Sequence, residues 1–379
     1  MNSSINNVNF KGYDAIKLKG FYMQGFVEKK DIDICRQMKK IAEKENLDFF
    51  INQNNTGIKK VIAEGLPPAK PLLPVWGQDR KAFLKNGYEE FILCNKQDGL
   101  KDLPEEFSSY NIKKREILPR GGNYYIGYKP NGEKWMIING KYVTEYGEKR
   151  NKQEKISLEN IETVYGVKRA NIYNTGYLGY DLDMSVRPIG YPYVLVNNEA
   201  ETLKNIEKMR KKFPQSDEIY EKLKWFQKYL NPDYLRIKEC DELYNCLKDF
   251  GFKPIKIGGF YSEDINFLNS IAFKNENNKI SIISNSTKYS CPELEYLEEL
   301  FEQDLREKVE GIENVYFVSG GKKTEETFGE YDWIKTHNFP QYRFNEYHNV
   351  IMDFLGERHG GIHCMTAEIP DFSKLDYVV

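Results

Sequence analysis

Val186–Lys212 (VRPIGYPYVLVNNEAETLKNIEKMRKK) carries the alternation that decides the fold class. An extended region closes on the apolar run Tyr193-Val194-Leu195-Val196-Asn197, and a charged helix follows over Glu199–Lys212. The same alternation runs outward in both directions. Glu90–Cys94 (EFILC), Lys134–Asn139 (KWMIIN), Lys279–Ser284 (KISIIS) and Asn314–Val318 (NVYFV) predict buried strands. Lys29–Glu45, Asp217–Leu230, Asp241–Phe250 and Glu293–Lys308 predict helices; in the last, Leu294, Leu297, Leu300 and Phe301 recur on one face with acids outward. Strands interleaved with helices along the whole length mean an α/β protein. Several helices follow pairs of strands, which fits repeated ββαβ modules better than a plain doubly wound sheet.

Composition narrows the function classes. Of 379 residues, 40% are hydrophobic and 30% charged, which excludes whole-chain disorder. Lys and Arg (55) nearly balance Asp and Glu (57), so no bulk electrostatic grip on nucleic acid is expected. No apolar run is long enough to span a bilayer, and the opening MNSSINNVNFKGYD has no apolar segment of a signal peptide. A cytoplasmic protein with no membrane partner is therefore expected. Six cysteines without a CxxC pair suit neither a disulfide scaffold nor a zinc site. GxGxxG and GxxxxGK[ST] are both absent, so dinucleotide and P-loop readings lack their phosphate cradle. Loops at Gly65–Pro68, Pro130–Gly132, Gly147–Glu154 and Ser319–Gly321 are the softest boundaries, and one domain over residues 1–379 is expected.

Four stretches could carry chemistry. Arg358-His359-Gly360-Gly361-Ile362-His363-Cys364-Met365-Thr366 sets a cysteine among glycines, where an open turn lowers a thiol's pKa; a small buried thiol is the plain alternative. Trp76-Gly77-Gln78-Asp79-Arg80 could hold a cation under an indole, or Asp79 could N-cap a helix opening at RKAFLKNG. Tyr180-Asp181-Leu182-Asp183-Met184 places two carboxylates on one face of an extended segment, or on a solvated turn. Arg120-Gly121-Gly122-Asn123 offers backbone and amide groups to a ligand, or simply bends a hairpin.

In this order and spacing, with Ile265-Asn266-Phe267-Leu268-Asn269-Ser270, these pieces resemble the guanidino-group-modifying superfamily, which includes peptidyl-arginine and agmatine deiminases. The resemblance spans about residues 70 to 372, and GGIHCMT (Gly360–Thr366) is its most specific motif. It implies a pentein-type fold, a five-fold pseudo-symmetric α/β propeller with one motif from each module. It also implies a deiminase that turns a guanidino group into a ureido group plus ammonia, without cofactor or metal. Cys364 would be the nucleophile, and Asp79 and Asp183 would grip the planar guanidinium. Trp76 would stack near the substrate's stem, Gly122 and Asn123 would line the site, and Asn269 would support the cysteine.

Two departures matter. The superfamily reads His-x-Asp where this chain reads Asp181-Leu182-Asp183, so the histidine that shuttles protons is replaced by Asp181. His363 cannot simply take its place, because the motif itself holds a histidine before the cysteine; His337, His348 and His359 are the remaining imidazoles. The chain is then an enzyme with altered acid chemistry, an inactive guanidino-binding homologue, or a protein substituted at position 181 to trap substrate. Secondly, agmatine deiminases carry Glu before their Gly-Gly, where Arg120 stands here. A cation there disfavours an amine tail and favours arginine, free or peptidyl, with Arg80, Arg187 and Arg343 as further anchors for a carboxylate or carbonyl. An amidino-transferring relative and a non-catalytic interaction module on the same fold are the alternatives.

Overall fold

β1 (Leu18–Met23) and β2 (Asp48–Ile51) lie parallel at the start of the chain in this computed structural model. The structure describes residues 17–23, 29–51, 81–86, 89–95, 105–115, 121–140, 143–144, 149–150, 153–154, 156–176, 181–214, 235–260, 265–287, 289–290, 292–319, 323–324 and 362–374. Within them, β3 (Lys81–Asn86), β4 (Glu89–Asn95) and β5 (Asn111–Arg115) form one sheet. β6 (Tyr124–Tyr128), β7 (Lys134–Ile138) and β8 (Ile172–Asn174) form the next, followed by β9 (Val186–Gly190), β10 (Tyr193–Asn197) and β11 (Lys253–Ile257). β12 (Ile271–Lys274), β13 (Ile280–Asn285) and β14 (Ile312–Val318) make a fourth. Finally β15 (Thr366–Pro370) returns from the far end of the chain and pairs with β1, from Leu18↔Pro370 to Met23↔Thr366.

The five three-stranded sheets among the described residues share one plan: an antiparallel pair, then a parallel neighbour on the central strand. Parallel pairing demands a crossover, and among the described residues α-helices stand in four of them. They are α1 (Lys29–Lys44), α2 (Leu158–Tyr165), α3 (Glu199–Lys212) with α4 (Leu235–Asp249), and α5 (Pro292–Lys308). Central strands are covered on both faces, as the unbroken burial of β7 shows. β4, β7, β10, β13, β14, α1, α3 and α5 fall close to the expected ranges. Asp217–Leu230 lies outside the described residues, and α4 begins earlier than the apolar periodicity suggested.

One stretch departs from its expected form. Lys81–Asn86 is a strand, not a helix capped by Asp79. Its register with β4 runs residue by residue from Lys81↔Cys94 to Asn86↔Glu89. Phe83 packs with Tyr22 and Phe107, while the adjacent Leu84 packs with Tyr124 and Met136. With both faces buried, no alternation survives to distinguish strand from helix, and tertiary pairing overrides local preference.

The largest core joins α3 and α5 to the sheets beside them. The α5 face expected from sequence is buried in full: Leu294, Leu297, Leu300 and Phe301, with Leu305 one turn on. Phe301 lies 4.8 Å from Phe267 between ring centroids and 6.3 Å from Phe317. Phe301→Ala removes that contact and leaves a cavity, so unfolding free energy should fall by about 3–5 kcal/mol. A urea titration with an unchanged midpoint would contradict this packing.

The first strands of the sheets converge. A cavity of about 120 Å³ is lined from β3 (Ala82, Leu84), β6 (Tyr125), β9 (Arg187), β12 (Ala272) and β15 (Glu368). No helix among the described residues is long and apolar enough to cross a membrane.

Candidate active site

Each stretch that could carry chemistry stands immediately before the first strand of a sheet. Gly121–Asn123 is one turn of 3-10 helix leading into β6, and Leu182–Met184 is another that leads through Ser185 into β9. Asn266–Ser270 leads into β12. α6 (Ile362–Met365), a single helical turn that carries the Cys364 backbone, leads into β15. Trp76–Arg80 stands in the same position before β3 in the sequence, but lies outside the described residues, as do Arg120, His337, Arg343, His348 and His359.

Asp183 is the hub. It is fully buried, and its Oδ2 accepts from Asn269 Nδ2 at 2.8 Å. His363 Nδ1 faces the same oxygen at 3.0 Å. Gly122 closes over it, and a Cβ there would sit 3.0 Å from both carboxylate oxygens, so a side chain would displace the group. The expected sharing of one extended face by Asp181 and Asp183 is not found. The turn at Leu182 sends Asp183 inward and leaves Asp181 half-buried at the N-cap, where its Oδ1 accepts from Asn123 Nδ2 at 2.5 Å. A tight turn, unlike a strand, does not return alternate side chains to one face.

Asparagines fix these turns. Asn139 Nδ2 donates to Asn123 Oδ1 at 3.1 Å, and the two backbones also pair. Asn285 Nδ2 donates to the carbonyls of Asn266 (2.6 Å) and Asn269 (2.9 Å). Asn285 Oδ1 accepts from the Ile362 N–H at 2.8 Å, and Asn269 Oδ1 from the His363 N–H at 3.0 Å. Two otherwise orphaned N–H groups at the start of α6 are thereby satisfied from a neighbouring sheet, and the Cys364 backbone is held beside Asp183. Asn139, Asn285, His363 and Glu368 were not singled out in the sequence as site residues. A signal for the first two exists: an asparagine ends or follows the second strand in four sheets, at Asn95, Asn139, Asn197 and Asn285.

Arg187, one of the expected anchors, is paired within the protein. It is 3% exposed, and its Nη2 donates to Glu368 Oε1 at 2.7 Å. Glu368 and Tyr125 hold the guanidinium's pKa above its ordinary value, although burial opposes the charge. Glu368 Oε1 also lies 3.7 Å from His363 Nε2, and the Tyr125 ring stacks on the imidazole at 5.1 Å. Burial, and then Arg187, push the His363 pKa down to about 3 against the pull of Glu368. A neutral imidazole that faces a carboxylate through Nδ1 carries its one proton there. Among the described residues no cluster of His, Cys, Asp and Glu is arranged to hold a metal ion.

No protein-family model and no curated protein matches the chain. Solved structures do. An agmatine deiminase from C. jejuni superposes with a TM-score of 0.50 at 12% identity, covering 96% of this chain and 99% of its own. The agmatine deiminase of Enterococcus faecalis gives a TM-score of 0.48 at 11% identity, over 95% and 96%. The chain has the fold of the guanidino-modifying deiminases, a mixed α/β architecture of small three-stranded sheets.

Proposed function

We propose that the chain is a deiminase that hydrolyses the guanidino group of arginine, free or within a peptide, to a ureido group and ammonia. The observation that carries the reading is the buried Asp183 carboxylate, held by Asn269 and His363 beside the turn that bears Cys364. The five sheets are read as five ββαβ modules of one α/β propeller. Their common pairing order supports this, as does the cavity that all five first strands line.

The steps follow from the residue types. A guanidinium is planar and permanently charged, and delocalisation makes its carbon a poor electrophile. Asp183 and Asp79 orient its N–H groups and offset the loss of hydration, while Trp76 covers the stem. Cys364 gives up its proton and attacks the carbon as thiolate; that proton is returned to the departing nitrogen as the C–N bond breaks, so ammonia leaves and a thiouronium remains. Water then adds to that carbon, the C–S bond breaks, and the ureido product and thiol are released. Asp181 stands where the superfamily's proton shuttle would, and Arg120 favours a carboxylate or carbonyl over an amine at the far end of the substrate.

Asp183→Asn tests the grip on the cation. The amide oxygen still accepts from Asn269 and His363, so the fold should survive while the charge is lost. Binding of arginine should weaken by about 2–4 kcal/mol, read by calorimetry; unchanged affinity would place the site elsewhere. Incubation with arginine, an arginyl peptide and agmatine, followed by a colorimetric ureido assay, tests the whole reading. Product from agmatine alone would reverse the substrate assignment, and binding without product would make the chain a guanidino-binding homologue.

A further inference from the structure

We infer that Arg187 and Glu368 are positioning residues that act through His363, keeping its imidazole neutral with the proton on Nδ1 and so presenting a fixed donor to Asp183. The inference extends the guanidino reading, since Asp183 is the carboxylate that reading assigns to the substrate. Among the described residues, His363 is faced by Asp183 from the turn before β9, Arg187 from β9, Glu368 from its own strand β15, and the Tyr125 ring from β6. Two of them are carboxylates, at 3.0 and 3.7 Å, and each alone would draw a proton onto a 1% exposed imidazole. Burial opposes the charge first, and Arg187 opposes it in two further ways. Its charge opposes a second cation nearby, and its 2.7 Å bond to Glu368 occupies the carboxylate that Nε2 would otherwise meet. The Arg187 guanidinium also lies 5.5 Å from the centroid of the Tyr125 ring that stacks on His363, so the same three side chains fix the plane of the imidazole.

A neutral His363 matters to the proposed chemistry. Imidazolium beside Asp183 would neutralise that carboxylate and repel an incoming guanidinium. With Nδ1–H alone, Asp183 is oriented while its charge stays available to the substrate. In the superfamily pattern the position before the cysteine reads only as part of a motif. Here the geometry gives it a partner on each side.

The test is imidazole NMR on the full chain, whose four histidines allow His363 to be assigned with a His363→Gln variant. In the parent, His363 should keep the Nδ1–H signature without titrating between about pH 5 and 8. Arg187→Gln leaves Glu368 unopposed, so the imidazole pKa should rise and a titration should appear in that window; Arg187→Lys restores the charge and should silence it again. Arginine binding to Arg187→Gln should then weaken at least about threefold from about pH 8 to about pH 5, whereas the parent's stays level. Glu368→Gln serves where Arg187→Gln does not fold: its amide can donate to Nε2, so the Nε2 resonance should move while the ring stays neutral. A titrating His363 in the parent, a silent one in a folded Arg187→Gln, or an unmoved Nε2 in Glu368→Gln would overturn the inference. The NMR needs no substrate, so a parent that binds no guanidino compound counts against the proposed function alone.

Discussion

Cys364→Ser should leave no measurable ureido product from arginine and should block labelling by a haloacetamidine. The loss should be the largest of any single change, because every later step runs through the bond that Cys364 makes. Serine is smaller and its hydroxyl is far harder to ionise than a thiol, so it is no substitute nucleophile toward a delocalised cation. The turn itself should persist, since it is anchored through the backbone N–H groups of Ile362 and His363 to Asn285 and Asn269, not through the cysteine side chain. Arginine binding should therefore survive in the variant. Labelling of another cysteine with Cys364 untouched, or full activity in the serine variant, would remove the assignment.

Asp181→His should raise kcat by about 10²-fold, the usual worth of a positioned general acid–base. An ionised aspartate can hold a cation but has no proton to give departing ammonia, whereas imidazole titrates near neutrality and can give one proton and then take one from water. The position suits the exchange. Asp181 is half-buried at the N-cap of the turn that buries Asp183, and its present partner Asn123 Nδ2 can donate equally to an imidazole nitrogen. The parent should thus bind guanidino compounds well and turn them over slowly, with an acid-shifted optimum, and the histidine variant should peak nearer neutral pH. Profiles of kcat against pH for both forms decide the matter. A folded variant no faster than its parent means that another group supplies the proton.

His363 cannot be that group while it stays neutral. On the inference above its one proton faces Asp183, and burial with Arg187 opposes a second.

Much of the architecture was legible in the amino-acid order. Apolar runs marked β4, β7, β10, β13 and β14, and the Leu294–Leu297–Leu300–Phe301 stripe named the buried face of α5, because these depend on periodicity within one element. The Gly-Gly-Asn, Asp-x-Asp and Gly-Gly-Ile-His-Cys stretches marked the turns that lead into β6, β9 and β15. The repetition behind them was harder to see. Asn95, Asn139, Asn197 and Asn285 close the second strands of four sheets, but crossovers of different length separate them, so they define no fixed period. Tertiary structure alone decided the rest. It made Lys81–Asn86 a strand, clasped β15 to β1, turned Asp183 inward while leaving Asp181 half-buried, and paired Arg187 with Glu368. β3 finds its ladder partner in the neighbouring β4, but the other outcomes depend on partners far away in the chain, as with His363 and Asp183, 180 residues apart. Local sequence can specify a turn or a stripe, but the free energy that chooses a buried polar group's partner arises only when sheets bring distant loops together and exclude water from between them.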